Sequence, residues 1–166
     1  LAQDLDISPP TVKSWIQHLE RLYLIFAVAP YSKRLKRSIK KDKKYFFYDC
    51  SLSNSEGGKF ENLVAMTLLK FCHFNEDMTG ENWNLFHFRD KEKREVDFVI
   101  ERNNAPYWVI EVKTKQDNFN KGLLYLKEEM PKAAFFQISL EKCLEEKIYG
   151  IQKLSYAAFS ERFIKY

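Results

Sequence analysis

Two neighbouring strand-like segments constrain the fold of this chain more than any other feature. The segments, about residues 95–102 and 107–113, are rich in β-branched and aromatic residues, and both carry acidic residues. If residues 102–106 form a five-residue loop, the segments make an antiparallel hairpin in which Asp97 lies directly across from Glu111. The pattern therefore predicts a sheet with two carboxylates opposed on neighbouring strands.

Alternation of side chains along the two strands predicts which residues share a face. On the second strand, Glu111 and Lys113 lie on the same face. On the first strand, the predicted faces are Glu95, Asp97 and Val99 on one side, and Val96, Phe98 and Ile100 on the other. The apolar neighbours indicate strands that are covered on both sides, where an isolated charge is costly unless it is paired or bound to a metal.

Two opposed carboxylates repel each other, so their arrangement requires a cation between them, a shared proton, or a different register. A divalent ion is the simplest explanation, because Mg²⁺ prefers one or two carboxylates, with water and substrate phosphate in its other positions. Lys113 could then orient or deprotonate a water molecule, or stabilise developing charge. The alternative is structural: Asp97 would be a solvated residue paired with Lys113 or Arg94, and Glu111 with Lys113 would be an ion pair on an edge strand.

The chain from about residue 49 to residue 166 alternates helical and strand patterns, which predicts an α/β fold with a central mixed sheet flanked by helices. Glu61 borders the apolar stripe of the first predicted helix, an unusual place for a charge. The predicted helices are at about 59–73, 119–130 and 156–164, and the strands at about 84–89, 95–102, 107–113, 133–139 and 148–154.

The first 48 residues have the pattern of a truncated winged helix-turn-helix, preceding the α/β domain at 49–166. Ser8 is expected to cap a helix that opens with Pro9 and Pro10. Two strand-like runs, at 24–30 and 45–48, flank a predicted wing at 32–44. The predicted buried face of the helix consists of Val12, Trp15, Ile16, Leu19 and Leu22. Because the chain starts inside a helical pattern, we expect that further sequence precedes Leu1.

A basic run lies within the predicted wing. Residues 33–44 contain eight basic residues and one acidic residue, a net charge of +7 in a chain of net charge +4. This run predicts salt-sensitive contact with nucleic-acid phosphates, although a solvated loop would have the same composition. The candidate contacts are Lys13 on the helix and Lys33, Arg34, Lys36, Arg37, Lys40 and Lys41 in the wing.

The strand residues resemble the PD-(D/E)xK signature of restriction-endonuclease-like nucleases. The resemblance rests on Asp97, followed 14 positions later by Glu111, Val112 and Lys113, although Val96 stands where the signature has proline. In that superfamily an Asp on one strand and an E-x-K on the next bind the metal, often with a glutamate from the preceding helix. The resemblance implies a site of Asp97, Glu111 and Lys113 that holds Mg²⁺ or Mn²⁺, with Glu61 as a third ligand.

A second resemblance covers almost the whole chain. Its segments are Leu19 to Ile25, Tyr45 to Asp49, Lys59 to Val64, Arg94 to Val99 and Ile110 to Lys113. In this order they resemble the C-terminal half of prokaryotic AAA-type ATPases, where a winged helix and a restriction-endonuclease-like domain of unknown function follow a P-loop module. The resemblance implies that the parent protein binds ATP through an upstream domain. This chain itself has no P-loop motif.

Two classes of function remain from the sequence. The first is a metal-dependent phosphodiesterase that cuts DNA or RNA, and the second is an inactive module that docks nucleic acid or protein for the upstream ATPase domain. No apolar run is long enough to cross a membrane. The three scattered cysteines have no metal-ligand spacing, which favours a reducing, cytoplasmic location without structural zinc.

Overall fold

The computed structural model describes residues 6–31, 43–115, 118–142 and 144–164, which form four α-helices, eight strands and one short 3₁₀ helix at Cys50–Leu52. The helices are α1 (Pro9–Arg21), α2 (Glu56–Thr79), α3 (Lys121–Glu129) and α4 (Tyr156–Phe163). The strands are β1 (Ile25–Pro30), β2 (Lys44–Phe47), β3 (Trp83–Arg89), β4 (Glu95–Arg102), β5 (Ala105–Lys113), β6 (Ala134–Ser139), β7 (Glu146–Ile148) and β8 (Ile151–Ser155).

The eight strands form one mixed sheet in the order β2-β1-β3-β4-β5-β6-β8-β7. β1 and β3, β5 and β6, and β6 and β8 are parallel, and the other neighbours are antiparallel. One apolar cluster packs α2 and α4 against the sheet, and a second packs α3 against it. A mixed sheet covered by helices confirms the predicted α/β class.

The hairpin of β4 and β5 differs from the prediction in its turn but keeps the predicted register. The turn has only two residues, Asn103 and Asn104, with φ of 49° and 63°, as a tight hairpin turn requires. An irregularity between Ile100 and Glu101 then shifts the pairing, so that Phe98 lies opposite Ile110. The predicted five-residue loop is therefore wrong, and the bulge compensates for the shorter turn.

A second irregularity changes the faces of β4. Between the pairs Phe86 with Val99 and Phe88 with Val96, β4 has one residue more than β3, which is a β-bulge at the position of Asp97. Val96 consequently packs with Val99 in the cluster under α3, whereas Phe98 packs in the cluster under α2. The predicted strict alternation, with Val96 and Phe98 on one face, is wrong at this point.

The first segment has the predicted elements but a different environment. The side chain of Ser8 accepts a hydrogen bond from the Thr11 N–H and caps α1, as predicted. The predicted buried face is wrong, because no residue of α1 is buried and Trp15 and Leu22 are 49% and 68% exposed. An amphipathic face is buried only where a second element covers it. The part of the predicted partner helix that this chain contains, residues 1–5, lies outside the described residues.

Strands β1 and β2 extend the central sheet. They pair antiparallel with each other, and β1 joins the sheet by pairing with β3. The predicted wing, residues 32–44, lies outside the described residues except at its last two positions. The winged helix and the domain boundary at residue 48 therefore stay predictions. In the described part of the chain, none of the helices is long and apolar enough to cross a membrane.

Candidate active site

Four of the predicted site residues line one cavity of about 420 Å³. Glu61 comes from α2, Asp97 from β4, and Glu111 and Lys113 from β5. The cavity lies where β4 begins and β5 ends, between the first turn of α2 at Gly57 and the N-terminal cap of α3. The structure thus brings together side chains that are as far apart in the sequence as Glu61 and Lys113.

Asp97 is held against the neighbouring strand. Its Oδ2 atom accepts a hydrogen bond of 2.9 Å from the backbone N–H of Val112. The regular pairing of β4 and β5 stops at Phe98 and Ile110, one position before the predicted Asp97–Glu111 pair. The bulge in β4 redirects the Asp97 side chain here, a known role of bulges beside functional sites. The other carboxylate oxygen of Asp97, Oδ1, is not hydrogen-bonded to Val112 and can contact other groups of the site.

Lys44, the first residue of β2, joins Asp97 to Glu61. Its Nζ atom lies 3.1 Å from Glu61 Oε1 and 3.4 Å from Asp97 Oδ1. Burial by itself would lower the pKa of Lys44, but attraction to Asp97 and Glu61 outweighs it and the pKa is raised. The pKa of Glu61 is also raised, first by burial and then by repulsion from Asp97, and Lys44 opposes this rise.

The sequence reasoning missed Lys44 as a site residue. The residue appeared only as the last member of the basic run, and nothing in its neighbourhood distinguishes it from Lys43. Its contacts are with residues 17 and 53 positions away, so local pattern contains no signal for them.

Glu111 is the most deeply buried acid of the cavity, with 4% of the residue exposed. Its Oε1 atom lies 2.9 Å from Lys113 Nζ, while Oε2 is buried without a hydrogen-bond partner. Burial first, and then repulsion from Asp97, raise the pKa of Glu111 to about 7. An unsatisfied buried carboxylate oxygen is costly, which marks this atom as a position for a proton or a bound cation.

The structure decides between the structural alternatives for these residues. Glu111 and Lys113 do form an ion pair, but β5 lies between β4 and β6 and is not an edge strand. Arg94 does not serve Asp97, because its guanidinium contacts Asp90 and Glu92 at 2.6 and 3.0 Å. An exposed pair worth little is therefore the wrong description of Glu111 and Lys113.

Asp97 and Glu111 have the chemistry that Mg²⁺ or Mn²⁺ requires. They offer carboxylate oxygens to one cavity, and Glu111 Oε2 is buried there without a hydrogen-bond partner. Within the described ranges, no group of three or more His, Cys, Asp or Glu side chains is arranged to hold a metal ion. Glu61, the third predicted ligand, is instead bound to Lys44.

Only one of the predicted nucleic-acid contacts lies in the described part of the chain. Lys13 is exposed on α1. The other six lie outside the described residues: Lys33, Arg34, Lys36, Arg37, Lys40 and Lys41. The interface with nucleic acid therefore stays a prediction.

Comparison with protein families places most of the chain in one of them. The model of a domain of unknown function, DUF4143, matches residues 56–157, more than half of the chain. The chain belongs to the DUF4143 family. DUF4143 is often found at the C-terminus of AAA-type ATPases. A second domain of unknown function, DUF8612, matches residues 1–61. No curated protein and no solved structure matches the chain.

The two family matches divide the candidate site unequally. The DUF4143 range contains Asp97, Glu111 and Lys113, and the DUF8612 range contains Lys44. Glu61 lies in the overlap of the two ranges. The ion pair of Lys44 with Asp97 therefore connects the two matched segments.

Proposed function

We propose that this DUF4143 chain is a metal-dependent nuclease that hydrolyses phosphodiester bonds in DNA or RNA. The observation that carries the proposal is the cavity in which a buried carboxylate with a free oxygen, a second carboxylate and a lysine amine meet. Perturbed carboxylates beside a charged partner in a cleft are typical of catalytic sites. Most buried polar groups in proteins are hydrogen-bonded, so a buried carboxylate oxygen without a hydrogen-bond partner calls for an explanation such as a bound ion.

The proposed roles follow from the positions of the side chains. Asp97 Oδ1 and Glu111 Oε2 are the oxygens that would hold Mg²⁺ or Mn²⁺, and Glu61 is the third candidate ligand. A bound divalent ion supplies Lewis acidity and favours ionisation of water at neutral pH. Lys113, held by Glu111 Oε1, would orient the attacking water or stabilise the charge that develops on the phosphate.

The first turn of α2 gives the cavity a place for phosphate. Gly57 lines the cavity, and a Cβ at this position would still be 3.7 Å from Thr114, so the approach to the backbone is open. The N-terminus of a helix attracts anions through its partial positive charge and its unpaired N–H groups. A phosphodiester could thus approach the carboxylate site from the side of α2.

The positions of these side chains support the resemblance to the PD-(D/E)xK signature. Asp97 and Glu111 lie on neighbouring strands, Lys113 follows Glu111 by two residues, and Glu61 is on the helix ahead of β3. The predicted basic run and the association of DUF4143 with AAA-type ATPases support a role in which an ATP-binding partner domain delivers nucleic acid to this chain. ATP would act only through that domain.

The second candidate is a docking module without catalysis, and Lys44 favours it. Its ammonium already neutralises Glu61 and Asp97, and Lys113 neutralises Glu111. Acids whose negative charge is already balanced by lysines have less need of a metal ion. In this case the chain would bind nucleic acid or protein for the ATPase domain.

The test is cleavage of labelled single- and double-stranded DNA and RNA with Mn²⁺, Mg²⁺ or EDTA. Lys113→Met should lose cleavage by at least about 100-fold, the usual effect of removing a general acid or base. Lys115→Met is the matched control, because Lys115 is 77% exposed and pairs with Glu141 outside the cavity. Its rate should equal that of the unaltered chain.

The outcomes separate the two candidates. Metal-dependent cleavage that Lys113→Met abolishes and Lys115→Met retains would establish the nuclease. If no nucleic acid is cut under any condition while salt-sensitive binding persists, the docking module is the better description. Cleavage that is equal in all three proteins would come from a contaminant and would contradict the proposal.

A further inference from the structure

Lys44 contacts two of the carboxylates that are candidate ligands of the metal ion. Its ammonium contacts carboxylates from two different elements, Glu61 on α2 and Asp97 on β4. The oxygen of Asp97 that it contacts is Oδ1, and Oδ2 is already engaged by the Val112 N–H. A cation that binds Asp97 through Oδ1 must therefore compete with Lys44.

The position of Lys44 is built into the fold. Lys44 pairs with Val28 in the β1–β2 ladder. Three residues later, both the N–H and the C=O of Phe47 are bound by the Asn62 side chain of α2, at 2.8 and 2.6 Å. Asn62 is 3% exposed and follows Glu61 directly. The strand of Lys44 and the helix of Glu61 are thus joined beside the ion pair, and the ammonium is held close to its partners.

A lysine ammonium and a divalent ion repel each other when both contact the same carboxylate oxygen. Mg²⁺ binds oxygen at about 2.0–2.1 Å, so an ion on Asp97 Oδ1 would lie close to an ammonium 3.4 Å from the same atom. The positive charges of the ion and of the ammonium therefore repel each other, and they do so more strongly in a partly buried site than in water. Lys44 is only about one third exposed, and Asp97 less, which limits screening by water.

We propose that Lys44 is an internal cation that competes with the divalent metal ion for Asp97 and Glu61, and thereby sets the metal affinity of the site. The inference rests on the proposed nuclease function, since it concerns the same carboxylates. It explains why Glu61 is part of the cavity without being free to act as a ligand. Metal binding to three carboxylates requires that Lys44 first moves away.

The measurement is the dissociation constant of Mn²⁺, by calorimetry and by electron paramagnetic resonance, on the full chain stripped with EDTA. Lys44→Met removes the charge but keeps most of the side-chain length, and should bind Mn²⁺ about tenfold more tightly. A tenfold change corresponds to about 1.4 kcal/mol. Lys44→Arg keeps the charge and should bind Mn²⁺ as weakly as the unaltered chain does.

Lys43→Met is the matched control. Lys43 is the adjacent residue, has the same side chain and is exposed, so this variant should leave the Mn²⁺ affinity unchanged. Circular dichroism and thermal unfolding show whether each variant is folded. If Lys44→Met does not fold, Lys44→Gln provides the same loss of charge with a polar side chain.

The outcomes distinguish this inference from the proposed function. If the unaltered chain binds Mn²⁺ and the folded Lys44→Met binds it no more tightly, the competition is refuted and the metal site stands. If Lys44→Met binds Mn²⁺ and the unaltered chain does not, the competition is supported and the docking module is favoured. If neither binds Mn²⁺, both proposals are refuted.

Discussion

The buried carboxyl of Glu111 makes the stability of this protein depend on pH in a way that one substitution should remove. The pKa of Glu111 lies at about 7 instead of the ordinary 4.5. Between these two pH values the folded protein holds a proton that the unfolded chain has already released. The contribution of the Glu111 carboxyl to the free energy of unfolding is fully present below pH 4.5 and is lost as the pH rises to about 7. Glu111→Gln imitates the protonated form at every pH.

The size of the effect follows from the same two values. One pKa unit corresponds to about 1.36 kcal/mol, so a rise from 4.5 to about 7 amounts to about 3 kcal/mol. Because Glu111 is 4% exposed, solvent screening removes little of this. At pH 8, Glu111→Gln should therefore be about 3 kcal/mol more stable than the unaltered chain, and at pH 5 the difference should be about 1 kcal/mol or less.

The assay is urea unfolding in EDTA at pH 5 and pH 8, followed by tryptophan fluorescence. Trp83 and Trp108 are buried and report loss of the core. Glu95→Gln is the control, because the Glu95 carboxylate lines the same cavity but is 44% exposed and pairs with Arg89. If Glu111→Gln changes stability equally at both pH values, the burial of a titrating acid is the wrong explanation.

Two further substitutions test how the fold holds the site. Gly122→Ala should lower the free energy of unfolding in urea by about 1–3 kcal/mol, because a Cβ there would meet the backbone oxygen of Glu95. Gly57→Ala is the control and should leave this free energy unchanged, because its Cβ would meet nothing closer than 3.7 Å. Asn62→Ala should lower the free energy of unfolding by about 1–3 kcal/mol, because the N–H and C=O of Phe47 lose their hydrogen bonds to the Asn62 side chain. If the urea midpoint of either Gly122→Ala or Asn62→Ala is unchanged, the corresponding contact is refuted.

Local patterns predicted most of the elements. The bounds of β4 agree with the prediction, and helix α2 contains the predicted 59–73 within Glu56–Thr79. Ser8 caps α1 as expected. Such features depend on residues a few positions apart, through the period of apolar side chains and the capping of free N–H groups. One predicted strand at 148–154 is two, β7 and β8, because Tyr149 and Gly150 form a turn with positive φ.

The candidate site was only partly predictable. Asp97, Glu111 and Lys113 could be found because strand spacing and register bring them to one end of the hairpin. The register survived a wrong loop length only because the bulge after Ile100 offsets the shorter turn. The second bulge, which redirects Asp97, could not be predicted, because the order of polar and apolar residues along β4 does not indicate it.

The sequence by itself determined most of the strands, the main helices and the acids that could meet at the end of β4 and β5. Only the tertiary structure decided what surrounds those acids: Lys44 between Glu61 and Asp97, and an unpaired oxygen on Glu111. The physical reason is distance along the chain. Periodicity and capping act over a few residues, whereas the charges that set the state of these carboxylates come from elements that meet only when the sheet is assembled.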